Sequence, residues 1–370
     1  MESPLPQTYL LPEPAIATVS RLHLRWIRDP SMAPELPSRA AGVGGYESLR
    51  ISSSVRLDNR YELCAELGLR RVDAGHLSDA DLIAASYSRW GEGCLDKVMG
   101  DFAFAIWNPA TKRLFCARDP FGVKPFYYYC SAELFVCATE VETLLAHPDV
   151  PIEIDRARVA DFLVQHLEGV DDTSTFYRQI HRLPPAHQLE ITPGTFTKRR
   201  YWELTPREEL VLDSDAEYAR AFWNELSIAV ARRHRETRKT AIMLSGGLDS
   251  SSIVAAAREL DPEERRAIRT ISIVADREPH CIESQCIEAV IAEDSIKSRV
   301  MSIDHLAAYQ DPLLDSLRAS TDPFDFWMNL QRMIYLAAHR AGFTRVIDGV
   351  DGDLVVSHGA SLIFRKRDLR

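Results

Sequence analysis

A chain of 370 residues exceeds what one hydrophobic core ordinarily organises, so two domains are expected, and 46% hydrophobic residues suffice to pack both. The formal net charge of -10 argues against a general nucleic-acid-binding or membrane-surface protein. With no run of roughly 20 apolar residues and a start, Met1-Glu2-Ser3-Pro4-Leu5-Pro6, unlike a secretory signal, the expected compartment is the cytoplasm.

Residues 1–205 read as a mostly β domain. Short apolar runs at 113–117, 125–129 and 133–138, separated by turn residues, suit a layered antiparallel arrangement. Helices are expected over 79–90 and 155–166, where apolar residues recur three and four apart. Three stretches stand out: Asp101-Phe102-Ala103-Phe104-Ala105-Ile106-Trp107; Ala117-Arg118-Asp119-Pro120-Phe121-Gly122-Val123-Lys124-Pro125-Phe126-Tyr127-Tyr128; and Ala138-Thr139-Glu140-Val141-Glu142-Thr143-Leu144-Leu145. A linker is expected next, with Pro184-Pro185, Pro193-Gly194 and a solvated basic patch, Lys198-Arg199-Arg200, before Tyr201-Trp202. The seven cysteines (64, 94, 116, 130, 137, 281, 286) form no CxxC pair or zinc-type Cys/His cluster, so they read as reduced, mostly buried thiols.

Residues 206–370 change character. A helix is expected over 214–234, with Ala221, Trp223, Leu226, Ile228 and Val230 on one face. The apolar run Ala241-Ile242-Met243-Leu244 then enters Ser245-Gly246-Gly247-Leu248-Asp249-Ser250-Ser251-Ser252 and leaves as Ile253-Val254-Ala255-Ala256-Ala257, which is strand, tight turn, helix. Two adjacent glycines let the backbone turn sharply and approach a ligand. The first amides of the following helix have no intrahelical partner, and such an end attracts phosphate. Asp249 would repel phosphate directly, which makes it the expected ligand of a bridging Mg²⁺. The spacing of the common mononucleotide loop, Gly-x4-Gly-Lys-Ser/Thr, is absent. A strand at 269–274, a helix at 286–292 and a strand at 344–347 follow, and this alternation implies a doubly wound sheet with ligands at the carboxyl ends of its strands. The last strand runs into a second acidic, glycine-spaced loop, Asp348-Gly349-Val350-Asp351-Gly352-Asp353.

The SGGLDSS loop resembles the pyrophosphate loop of ATP pyrophosphatases, and the order of all these motifs, from about Ser54 to about Gly359, resembles the asparagine synthetase family. Within it, Asp-Gly-x-Asp-Gly-Asp followed by Val355-Val356-Ser357-His358-Gly359, and preceded by Asp322-Pro323-Phe324, looks like the lasso peptide macrolactam cyclases. The resemblance implies an N-terminal αββα sandwich of the Ntn-hydrolase type over 1–205 and an ATP-pyrophosphatase domain over 206–370, doubly wound and of the adenine-nucleotide α-hydrolase type. It implies ATP and Mg²⁺ as cofactors. Leu244, Ser245, Gly246, Gly247, Asp249, Ser250 and Ser251 would bind pyrophosphate, Ile271 and Ile273 would lie beside adenine, Gly349 would pack against the nucleotide, and Asp249 and Asp353 would hold the metal. His358 is a candidate base.

Departures from the family pattern narrow the activity. Family glutaminases carry a cysteine directly after the initiator methionine, where this chain has Glu2, and their Asn-Gly-Glu segment would fall near Ser54-Val55-Arg56. Without that nucleophile glutamine is not hydrolysed in this way, so the first domain is expected to be a structural relic. Val350 stands where asparagine synthetases carry a glutamate and β-lactam synthetases a tyrosine. The reaction implied is adenylation of an Asp or Glu side chain of a precursor peptide, then attack by the peptide's own N-terminal amine to close an isopeptide ring. A leader peptidase and a leader-binding protein would be further partners. Asparagine synthesis from glutamine or ammonia is the alternative, and an inactive scaffold is another. Relatives continue beyond the second acidic loop, so a chain ending at Arg370 is expected to be a truncated or split member.

Overall fold

From Gly100 to Asn108 side chains alternate between two apolar sets, which a strand needs only when both its faces are buried. The computed structural model shows both coverings. It describes residues 23–27, 39–40, 49–70, 76–164, 171–205, 209–234, 239–260, 268–278, 280–293, 296–319, 328–350 and 352. The chain divides into two units, residues 1–205 and 206–370.

The first unit contains strands β1 (His23–Ile27), β2 (Arg39–Ala40) and β3 (Arg50–Leu57), helices α1 (Arg60–Glu66) and α2 (Asp79–Trp90), strands β4 (Gly100–Asn108), β5 (Arg113–Arg118), β6 (Tyr127–Cys130) and β7 (Leu134–Ala138), helices α3 (Val141–Leu145) and α4 (Arg156–Leu163), and strands β8 (Ile180–Arg182), β9 (His187–Ile191) and β10 (Phe196–Arg200). They form two antiparallel sheets, ordered β1-β7-β6-β8 and β10-β9-β5-β4-β3-β2. Ala103, Ala105 and Trp107 of β4 meet Phe135 and Cys137 of β7 in the space between the sheets. Phe102, Phe104 and Ile106 face the other way, against Leu63 of α1 and Leu82 and Ile83 of α2. On the far side, Val136 and Ala138 of β7 pack against Val141 and Leu144 of α3. The layers are therefore α, β, β, α, as the resemblance implies. Each fully buried phenylalanine in these layers contributes about 2–3 kcal/mol of apolar burial.

Helix α2 spans the expected 79–90, because Ser78 and Asp81 form a reciprocal capping box at its start. Helix α4 is shorter than 155–166: Asp155 caps it by accepting from the Ala157 and Arg158 amides, and the backbone turns extended at Val164. The segment 184–202 is not a linker. Its Pro193-Gly194 turn joins β9 to β10 inside the six-stranded sheet, and the Tyr201 hydroxyl donates to the Arg118 carbonyl at 2.7 Å. The basic patch is an exposed edge strand whose Arg199 pairs with Glu92, and charge on an open edge discourages further pairing.

The second unit contains α5 (Asp215–Arg233), β11 (Thr240–Met243), α6 (Leu248–Glu259), β12 (Ile268–Val274), α7 (Ile282–Ile291), β13 (Ile296–Ser302), α8 (Gln310–Ala319), α9 (Asn329–Arg340) and β14 (Arg345–Ile347). Helix α7 starts four residues before the expected 286, with Cys281 at its capping position. The sheet is wholly parallel in the order β13-β12-β11-β14. Ile242, Leu244, Ile268 and Val274 bury one face with Val230 of α5, Val254 of α6 and Ile287 of α7. Ala241, Met243 and Ile271 bury the other with Ile334, Ala337 and Ala338 of α9. The Trp223 indole donates to Glu259 at 2.8 Å, tying α5 to α6. Among the described residues no helix is long and apolar enough to cross a membrane.

Candidate nucleotide-binding site

From β11 the chain order runs outward to β12 on one side and to β14 on the other, so the direction of winding reverses between β11 and β14. In open parallel sheets ligands bind outside the carboxyl ends of the strands at such a reversal. Both loops singled out in the sequence lie there: 244–247 follows β11, and 348–350 and 352 follow β14.

The first loop is shaped by its own hydroxyls. Ser250 accepts from the Ser245 amide at 3.1 Å, donates to the Gly247 carbonyl at 3.2 Å, and lies 3.0 Å from the Ser245 hydroxyl. Gly246 sits at φ +83°, and a β-carbon there would stand 2.5 Å from the Glu283 carbonyl oxygen and 3.1 Å from the Cys286 β-carbon. The loop is thus pressed against the first turns of α7, which only glycine permits. Gly247 caps α6 without a side chain, so the positive end of this 12-residue helix faces the loop. Leu244 is anchored by its amide, which donates to the Ile271 carbonyl at 3.0 Å.

The second loop fits against the first. β-Carbons placed on Gly349 would stand 3.1 Å from both the Asp249 β-carbon and the Ser250 amide nitrogen, and on Gly352 would overlap the Asp249 carboxylate. The Gly352 amide donates to the Gly349 carbonyl at 3.1 Å, closing the turn. At its base the Tyr335 hydroxyl donates to Asp348 Oδ2 at 2.7 Å, while Asp348 Oδ1 accepts from the Val350 amide at 3.3 Å. Val350, like Ile273, Met333, Leu336, Phe343 and Val346, packs against the buried apolar cluster beneath.

The structure therefore brings Ser245, Gly246, Gly247, Asp249, Ser250 and Gly349 together. Ser250 is 4% exposed and its hydroxyl is used inside the loop, so it shapes the turn and does not present that group outward. Ile271 is fully buried under α9, and of the two β12 residues only Ile273 retains surface. Ser251 lies in the first turn of α6, partly exposed. Asp353 and His358 lie outside the described residues. Among those described, no group of three or more His, Cys, Asp or Glu side chains comes together; Mg²⁺ is commonly held by one or two carboxylates with phosphate and water, a set to which Asp249 could contribute. Gly352 and Tyr335 were not singled out as site residues. The glycine spacing of the second loop marks Gly352, whereas nothing in a helical tyrosine 13 residues before Asp348 signals a contact.

In the first unit Arg56 is closed upon its neighbours. Its guanidinium donates to Asp101 Oδ2 at 2.8 and 3.1 Å, to Asp58 Oδ2 at 3.2 Å, and pairs with Asp58 Oδ1. Burial opposes its charge, but the hydrogen bonds and charges of the two carboxylates outweigh that and raise its pKa. Ser52, Ser53 and Ser54 beside it are buried.

Two family models match consecutive parts of the chain: a glutamine amidotransferase domain over residues 56–202 and asparagine synthase over residues 222–370. Asparagine synthetase (glutamine-hydrolyzing) 3 of Bacillus subtilis is 32% identical over 219 residues, 59% of this chain and 35% of that protein. Asparagine synthetase (glutamine-hydrolyzing) 1 of the same organism is 30% identical over 222 residues, 58% of this chain and 33% of its own. Amidase chry2 of Gibberella zeae is 26% identical over 293 residues, 75% of this chain and 42% of its own. The chain spans 33 to 42% of the length of these relatives.

Proposed function

We propose, on the premise that this chain belongs to the asparagine synthetase family, that it serves ATP-dependent, AMP- and pyrophosphate-forming amide ligation. The observation that carries this is the packing of Gly349 and Gly352 onto Asp249 at the point where the parallel sheet reverses its winding. The free amides of α6 and the Gly246-Gly247 turn suit a polyphosphate, and Asp249 suits a Mg²⁺ bound to it, which would neutralise charge on the departing pyrophosphate. A substrate carboxylate oxygen bonds to the α phosphorus as pyrophosphate leaves. An amine then bonds to the activated carbonyl carbon, gives up a proton, and AMP leaves. The chain's part is to hold both groups in line and balance phosphate charge, with His358 as candidate base.

Within that class we favour a peptide whose Asp or Glu side chain is activated and whose N-terminal amine closes the ring. Val350 supports this: an apolar residue packed against the buried cluster of Met243, Ile271 and Ile334 offers no group to manage an ammonium proton. Arg56, held by Asp58 and Asp101, points the same way, since a side chain already paired twice is poorly disposed to receive glutamine. Asparagine formation is the second reading, favoured by the names of the Bacillus subtilis relatives.

Titration of the full chain with ATP and Mg²⁺ in a calorimeter, beside Asp249→Ala, tests the class. Binding by the wild type that weakens at least about ten-fold in the variant is expected, and a wild type that binds no ATP would overturn the reading. Mass spectrometry then separates the substrates. Ring closure removes one water from the peptide and yields AMP, whereas aspartate and glutamine would yield asparagine.

A further inference from the structure

The acidic loop that meets Asp249 is itself fixed from behind. Asp348, the residue directly after β14, uses one carboxylate oxygen to accept the Val350 amide at 3.3 Å, which sets the direction of the loop toward Gly349 and Gly352. Its other oxygen accepts from the Tyr335 hydroxyl at 2.7 Å. Tyr335 stands on α9, whose Ile334, Ala337 and Ala338 are seated in the apolar cluster against Met243 and Ile271. A rigid, packed helix therefore holds, through one hydroxyl, the carboxylate that shapes the loop. Burial, and then the hydrogen bond and charge of Asp348, raise the Tyr335 pKa well above its ordinary value, so the hydroxyl keeps its proton as a donor.

Resting on the nucleotide assignment above, we propose that Tyr335 is a positioning residue: it holds Asp348 so that the second loop keeps Asp249 in the orientation that binds the metal-bound triphosphate. Tyr335 touches no substrate in this scheme and acts only through Asp348. Its ring packs equally well without the oxygen, so Tyr335→Phe removes the hydrogen bond while keeping the shape.

The test measures ATP affinity of the full-length chain by calorimetry, with and without Mg²⁺, for wild type, Tyr335→Phe, Asp348→Ala and the double variant. Tyr335→Phe is expected to weaken Mg²⁺-dependent ATP binding about ten-fold, the order for losing one hydrogen bond to a charged group, and to raise the Mg²⁺ concentration needed for half-saturation. Binding of ATP without Mg²⁺ should change little. Adding Tyr335→Phe to Asp348→Ala should cost nothing further, because the two act as one unit. A Tyr335→Phe chain with a lowered melting temperature but unchanged Mg²⁺ requirement would show a merely structural role and overturn the inference, as would additive losses in the double variant. If the wild type binds no ATP, the nucleotide assignment itself falls and takes this inference with it. If the wild type binds and Tyr335→Phe matches it, only the positioning role falls.

Discussion

Gly352 lies so close to Asp249 that a β-carbon on it would stand 3.0 Å from the Asp249 β-carbon and overlap its carboxylate. The carboxylate can turn away but the Asp249 β-carbon is fixed to the helix, so a larger residue at 352 must both turn Asp249 and push the second loop off α6. Gly352→Val is therefore expected to keep its circular dichroism, to lose about 1–3 kcal/mol of stability from the crowded β-carbons, and to lose about ten- to a hundred-fold in Mg²⁺-dependent ATP affinity, the scale on which a misplacement near 1 Å is felt. Calorimetry on the two proteins at matched Mg²⁺ checks it, and equal affinities would separate Gly352 from the site.

Gly246 and Gly342 both hold left-handed backbone, at φ +83° and +86°, yet their surroundings differ. A β-carbon at Gly342 meets nothing within 4 Å, whereas one at Gly246 would stand 2.5 Å from the Glu283 carbonyl oxygen. Conformational strain alone costs about 1 kcal/mol, so Gly342→Ala should lose about that much. Gly246→Ala adds a clash with backbone and should lose about 2–4 kcal/mol, together with ATP affinity. Urea unfolding of both variants decides it, and equal losses would mean that the loop is free to move off α7.

The sequence made the two loops legible because glycine, serine and aspartate at a strand end carry their meaning locally. What it left hidden depends on what covers each strand. Ile271 and Ile273 share a face by period two, and nothing local says that α9 seals the first and leaves surface on the second. Ser250 looked like a ligand donor because its hydroxyl stands in the loop; the structure engages that hydroxyl with Ser245 and Gly247. Pro184-Pro185 and Pro193-Gly194 suggested a linker, but prolines at the ends of a hairpin fit an edge of a sheet equally well. A layered antiparallel domain was readable as many short strands, the αββα order was only implied by the family resemblance, and the pairing of β4 with both β3 and β5 required the structure. Asp58 and Asp101, which close Arg56, lie on different segments 43 residues apart in number, so their meeting has no local sign.

Asp119 is a buried carboxylate, 1% exposed, that accepts from four backbone amides: Val123 and Lys124 at 2.9 Å, Phe121 at 3.2 Å and Phe102 at 3.3 Å. It folds the 119–124 loop onto the start of β4. Asp119→Ala leaves these donors unpaired, and hydrogen bonds to a charged group are the strong ones, so a loss of about 3–5 kcal/mol is expected. Asp119→Asn keeps one acceptor oxygen and should lose less. Denaturant midpoints of the three proteins give the order, and an alanine variant as stable as wild type would contradict it.

The thiols sort into two chemical classes. Cys94 is fully buried and its burial, then the charge of Asp96, push its pKa up to about 12. Burial likewise raises Cys116 well above the ordinary value, with Cys137 beside it adding to the effect. Cys281 is different. It stands at the N-cap position of α7, where the nearby Ser284 hydroxyl, and then the Ser284 amide, draw its thiol below the ordinary value. The thiolate is the nucleophile, and a free thiol titrates near about 8.5. In the folded protein Cys281 should therefore be alkylated first, and its rate should level off at a lower pH than that of a free thiol. Cys94 and Cys116 should react only after unfolding. Ser284→Ala removes the leading stabiliser of the thiolate, so the pH at which Cys281 labelling reaches half its plateau should move up. Timed alkylation with peptide mass spectrometry between pH 6 and 9.5 follows each cysteine separately. Faster labelling of Cys94 than of Cys281 in native protein, or a Ser284→Ala profile that moves down in pH, would refute the assignment.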